Sequence, residues 1–207
     1  IFFPHFSVWT VNFWLSILLL VMFIVLLIFN YTKPQNDFTW NCSLYQLQNK
    51  FFPKLRYSFE FWRVPISGFF HSNVAHFCLN VFGLQVYGYF VEWYYGKLKL
   101  VVSLLVTILV THFFAAAVNH ESVSTMASSL LFCVLAMKLW FLFEYRNYKP
   151  LEFKRALIYL LMVLITAINL IPIFVVNNVD FSSHIGGFVI GALREPSSIS
   201  ESKNKIF

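Results

Sequence analysis

Six apolar runs leave this chain little choice of solvent. They span roughly Val11 to Phe29, Val74 to Val91, Leu98 to Val118, Ser128 to Phe143, Ala156 to Ile173 and Phe181 to Leu193. Only 12% of the 207 residues are charged and 59% are hydrophobic, against about 25% charged in a soluble domain. A soluble core of this size does not absorb so much apolar surface, so the solvent is lipid. The first run is long enough to cross a hydrocarbon layer of about 30 Å at about 1.5 Å per residue. It carries neither a basic flank nor a small-residue cleavage site, and reads as a retained helix rather than a signal peptide. The expectation is an all-α polytopic membrane protein of six transmembrane helices with a long first loop, Asn30 to Arg63. Residues 1–10 form an N-terminal segment, 11–194 the membrane domain and 195–207 a polar cytoplasmic tail.

The net charge of +6 concerns orientation, not nucleic acid. Lys97, Lys99, Arg146, Lys149, Lys154, Arg155, Arg194, Lys203 and Lys205 fall on one side of six spans. That side is cytoplasmic, which puts the N-terminus there too. Asn30-Tyr31-Thr32 and Asn41-Cys42-Ser43 match the glycosylation-acceptor pattern and lean toward a eukaryotic endomembrane or plasma membrane. Cys78 and Cys133 read as small core residues, and Trp93-Tyr94-Tyr95 as an interfacial anchor.

Polar residues inside the runs carry the functional argument. An ionisable side chain at membrane depth is costly and marks a functional site by default. His184 is such a residue. His76 and Asn80 lie four apart, on one helix face, and His71 stands at the entry to that helix. Ser128 opens the short fourth run, so its helix starts below the membrane surface, reached by an inward-dipping segment, Asn119 to Ala127. Ser128 and His184 supply the nucleophile and base that amide hydrolysis needs. His76, Asn80 and the Ser128 N–H supply donors for the oxyanion. Asp180 sits at the mouth of the last helix, so a Ser–His dyad is expected rather than a triad. Gly187 and Gly191 form a G-x-x-x-G on the His184 face, which lets a neighbouring backbone approach closely. The small-residue stretch Ala127-Ser128-Ser129 is the expected neighbour. A five-residue spacing turns His71 and His76 apart on a helix, and no carboxylate or cysteine completes a metal set. No metal, cofactor or nucleic acid is expected.

In order and spacing these residues resemble the rhomboid intramembrane serine proteases, over about Trp62 to Leu193. Trp62-Arg63 is similar to the family's W-R. His71 through Asn80 resembles its H-x4-H-x3-N, Gly88 through Gly96 its glycine–glutamate segment around Glu92, and Asp180 through Gly191 its segment around the histidine. The resemblance implies a six-helix fold that cleaves single-pass transmembrane proteins in the bilayer. Ser128 and His184 would be catalytic and His76 and Asn80 oxyanion donors. Arg63 and Glu92 would be structural, with Trp62, His71, Gly187 and Gly191 completing the motifs. Substrate would enter laterally past the fifth helix. One block departs: where the family has G-x-S-G, this chain has Met126-Ala127-Ser128-Ser129. A positive φ at Met126 would be strained, and its side chain would block the oxyanion pocket if it pointed inward. Taking Ser129 as the nucleophile breaks the alignment of Leu130-Leu131-Phe132. The alternative is an inactive rhomboid-like protein that binds transmembrane clients and affects their trafficking or degradation.

Overall fold

A computed structural model describes residues 7–31, 52–118, 124–144, 146, 152–175 and 180–193. Among them the chain builds helices and no strand. These are α1 (Val11–Tyr31), α2 (Phe52–Ser58), α3 (Arg63–Ile66), α4 (Val74–Tyr95), α5 (Lys97–Val106), α6 (His112–Val118), α7 (Ser128–Glu144), α8 (Glu152–Val175) and α9 (Phe181–Ala192). A π-helical turn, Thr107–Thr111, joins α5 to α6 into one rod. Each of the six apolar runs is therefore helical. Three helices are long and apolar enough to cross a membrane: Val11–Phe29, Val74–Tyr95 and Lys97–Val118.

The helices end where local chemistry stops them. Asn73 caps α4, its side chain accepting from the His76 N–H at 2.8 Å. Gly96, at φ +88°, closes α4, a conformation without penalty only for glycine. Asp180 caps α9 through the Ser182 N–H at 3.1 Å. Helix α7 sits at the centre, buried on nearly every side from Ser128 to Lys138, with α4, α9 and the π turn packed around it. The main core joins Leu84, Tyr87 and Val91 of α4 to Leu130, Leu131, Val134 and Phe141 of α7.

Two expectations fail on this packing. Tyr94 and Tyr95 are not interfacial anchors: both are buried, Tyr94 against Phe141 and Tyr95 donating to the Met137 carbonyl at 3.1 Å. Cys78 faces outward, whereas Cys133 is buried. The Asn41 acceptor site, Asn119 to His120, the basic residues 149 and 194–205, and the tail 195–207 lie outside the described residues.

Candidate active site

The site is built where α9 lies against α7. A Cβ on Gly187 would collide with the Ser129 carbonyl, and one on Gly191 with the Cys133 carbonyl. The two missing side chains let the α9 backbone settle onto that of α7. This approach sets Ser128 Oγ 2.5 Å from His184 Nε2, with both side chains almost wholly buried. The imidazole is stacked on Phe132, ring centroids 4.5 Å apart and 11° from parallel. Its Nδ1 has no protein partner among the described residues. Asp180 does not reach that nitrogen. Its carboxylate takes the Ser182 N–H and hydroxyl, and Ser124 Oγ donates to it at 3.3 Å. Asp180 thus pins the mouth of α9 to the segment before α7.

Ser128 is the first residue of α7, where backbone N–H groups have no carbonyl one turn back and the helix dipole is positive. The segment before it is held from outside: Met126 N–H donates to the Ser67 carbonyl at 3.1 Å. The only positive φ values among the described residues belong to Phe59 and Gly96, so Met126 carries no left-handed strain. Its side chain is fully buried in a cluster with Leu55, Val64, Ala115 and Ala116. That cluster draws on α2, α3 and α6.

On α4, His76 and Asn80 are buried. His76 Nδ1 lies 3.1 Å from Ser72 Oγ. With Ser72 donating, the ring keeps its proton on Nε2 as a donor. Both polar atoms of the Asn80 amide are buried without a partner among the described residues, a costly state for a structural asparagine. His71 precedes the helix rather than sitting on it. Its ring meets that of His76 edge-on, 5.4 Å between centroids, so the two histidines are neighbours and not turned apart. The described residues contain no group of metal ligands.

The remaining motif residues make other contacts. Trp62 is half-exposed. Arg63 is buried and pairs with Glu60, which Lys54 also approaches at 3.6 Å. The Arg63 hydrogen bond holds the Glu60 carboxyl below its ordinary range. Glu92 accepts the Val11 and Asn12 N–H groups, each at 2.9 Å, and so caps α1. One residue absent from the sequence-based site is His112. It is buried on α6 with Nε2 2.7 Å from Ser129 Oγ. The depth rule that singles out His184 applies to it equally, since it is the only ionisable residue between Lys99 and Val118.

Comparison with known proteins gives the family. Residues 58–195 match the Rhomboid domain. The chain belongs to the rhomboid family. This rhomboid is 30% identical over 153 residues to the rhomboid protease AarA of Providencia stuartii, across 65% of this chain and 54% of that protein. The chain thus spans about half the length of the curated relative it matches. No solved structure matches it. Family and apolar helices together make it an integral membrane protein of an intramembrane protease family. The relative is bacterial, so the comparison lends nothing to the eukaryotic membrane read from the acceptor sites.

Proposed function

We propose that this rhomboid is an active serine endopeptidase that cleaves single-pass transmembrane proteins within the bilayer. It would do so from six spans with both termini cytoplasmic. The observation that carries the reading is the 2.5 Å contact between Ser128 Oγ and His184 Nε2. Ser128 Oγ attacks the scissile carbonyl carbon while its proton passes to His184 Nε2. The carbonyl oxygen becomes an oxyanion and takes donors from Asn80 Nδ2, His76 Nε2–H and the Ser128 N–H. His184 returns the proton to the leaving nitrogen, the C–N bond breaks, and an acyl-enzyme remains. Water then attacks the ester with His184 again as base, releasing the second product and restoring Ser128. Among the described residues none orients the base through Nδ1. Stacking on Phe132 fixes the ring plane instead. No metal or cofactor enters these steps.

The second reading, an inactive client-binding protein, rests on Met126 and Ser129 in place of two family glycines. The burial of Met126 in the cluster of Leu55, Val64, Ala115 and Ala116 without left-handed strain supports the enzyme against it.

A fluorophosphonate probe separates the two. Applied to the detergent-solubilised chain, it is expected to label wild type and Ser129→Ala but neither Ser128→Ala nor His184→Ala. A folded wild type that never labels would sink the enzyme reading. Met126→Gly would then test whether the missing glycine is the cause.

A further inference from the structure

Ser129 stands where the family has glycine, and its hydroxyl is not idle. Ser129 Oγ donates to the Met126 carbonyl at 2.7 Å, beside the Ser129 N–H on the same oxygen at 3.0 Å. His112 Nε2 lies 2.7 Å from the same hydroxyl. A serine has one proton. With that proton on the Met126 carbonyl, the ring donates from Nε2, and the two short contacts form one directed chain, from His112 through Ser129 to the Met126 carbonyl. With Nδ1–H on the Val64 carbonyl instead, Nε2 accepts the Ser129 proton, and the 2.7 Å contact ties the two residues in either arrangement. The ring is also walled in. Its Nδ1 lies 3.3 Å from the Val64 carbonyl of α3, and a Cβ on Gly68 would strike its Cε1.

The π turn explains how the ring arrives there. Relative to an α-helix such a turn inserts a residue, which rotates everything after it by about 100°. Thr111, the last residue of that turn, meets Gly186 of α9. His112, the next residue, faces Ser129 of α7. One rod thus touches both helices that carry the candidate dyad.

We propose that His112 is a positioning residue: through Ser129 it holds the Met126–Ser128 turn from which the nucleophile projects. The reading of its effect on chemistry rests on the proposed Ser128–His184 reaction. The hold itself does not. The pair is not a second dyad, because Ser129 Oγ points at a carbonyl oxygen. Negative charge developing there would meet an acceptor rather than a donor. The hydroxyl supplies a tether for a segment whose glycines have been lost, and the Met126 side chain supplies another in the Val64 cluster.

Two measurements on the full chain in detergent test this. One is the rate of fluorophosphonate labelling at Ser128. The other is amide hydrogen exchange across residues 124–129. Losing one hydrogen bond of this kind is expected to slow labelling about tenfold in Ser129→Ala and His112→Leu. The double variant should be no slower than either single one, as members of one chain are non-additive. Exchange should rise in all three. His112→Gln, whose amide Nε2 can still donate, should restore both readouts, which a loss of packing alone would not allow. Wild-type labelling with unchanged exchange in Ser129→Ala would overturn the proposal, as would a His112→Gln variant as slow as His112→Leu. If wild type fails to label, the Ser128 reading falls. Exchange then decides the hold alone: faster in Ser129→Ala and normal in His112→Gln supports it, and no change overturns it.

Discussion

Two helix contacts in this rhomboid use the same materials to opposite ends. Where α1 meets α4, a glycine admits a polar side chain: a Cβ on Gly88 would collide with Asn12. Glu92 there receives two backbone N–H groups, and Gln85 donates to Ser16. Where α7 meets α9, glycines admit backbone instead, and the polar residues are a serine and a histidine bonded to each other. The first contact spends most of its donors and acceptors on holding two helices together, with Asn12 Nδ2 left over among the described residues. The second leaves valence to spare, at His184 Nδ1 and, on nearby α4, at both ends of the Asn80 amide. Buried polar groups are ordinarily satisfied. At the second contact the spare valence accompanies a serine–histidine pair, whereas at the first the carboxylate is spent on backbone, and that difference separates chemistry from fastening.

That contrast can be broken from either side. The largest effect is expected at the dyad: Ser128→Ala or His184→Ala should lower cleavage of a transmembrane substrate by about 10⁴ or more, with Tm little changed. A large fall in Tm would show instead that the pair is a fastener. Asn80→Ala should reduce kcat about 10²-fold with a small change in KM if its amide meets the oxyanion. Equal activity with raised stability would mean that the amide is merely an unpaired polar group. Glu92→Ala should do the reverse. It removes the cap from α1 and should destabilise the protein by about 1–3 kcal/mol in urea or thermal unfolding, leaving the labelling rate of the folded fraction at wild type. The smallest effect belongs to Glu60. Its carboxyl is held low mainly by the Arg63 hydrogen bond, so its contribution is present above the ordinary carboxylate pKa and is lost as pH falls through the depressed value. Glu60→Gln should flatten the acid side of the stability profile slightly, measured as Tm against pH.

Much of this architecture is legible in the sequence because lipid is a strict solvent. Apolar length alone gives the helical runs, and the Asp180 cap follows from an acidic residue ahead of the last one. The approach of α9 to α7 follows from Gly187 and Gly191, since close backbone contact needs small residues at that spacing. What sequence reading misses is rotational. Tyr94 and Tyr95 look like membrane anchors because their chemistry suits an interface, yet the α4 face they occupy is turned toward Phe141. Cys78 looks buried because its neighbours are apolar, but in lipid an apolar neighbourhood is equally the outside. His112 goes unnoticed because its partner is made by a π turn, and periodicity assumes 3.6 residues per turn throughout. The departures at Met126 and Ser129 are visible in the sequence, whereas their accommodation depends on where two side chains turn.

The cap on α1 also sets an order of events. The N–H groups of Val11 and Asn12 find their acceptor in Glu92, about eighty positions later in the chain. At ribosomal speeds of about 5–20 residues per second, that interval is about 4–16 s. Of this pair, α1 therefore leaves the ribosome first and is capped last. It waits in the bilayer, its leading end unpaired, until the far end of α4 is made.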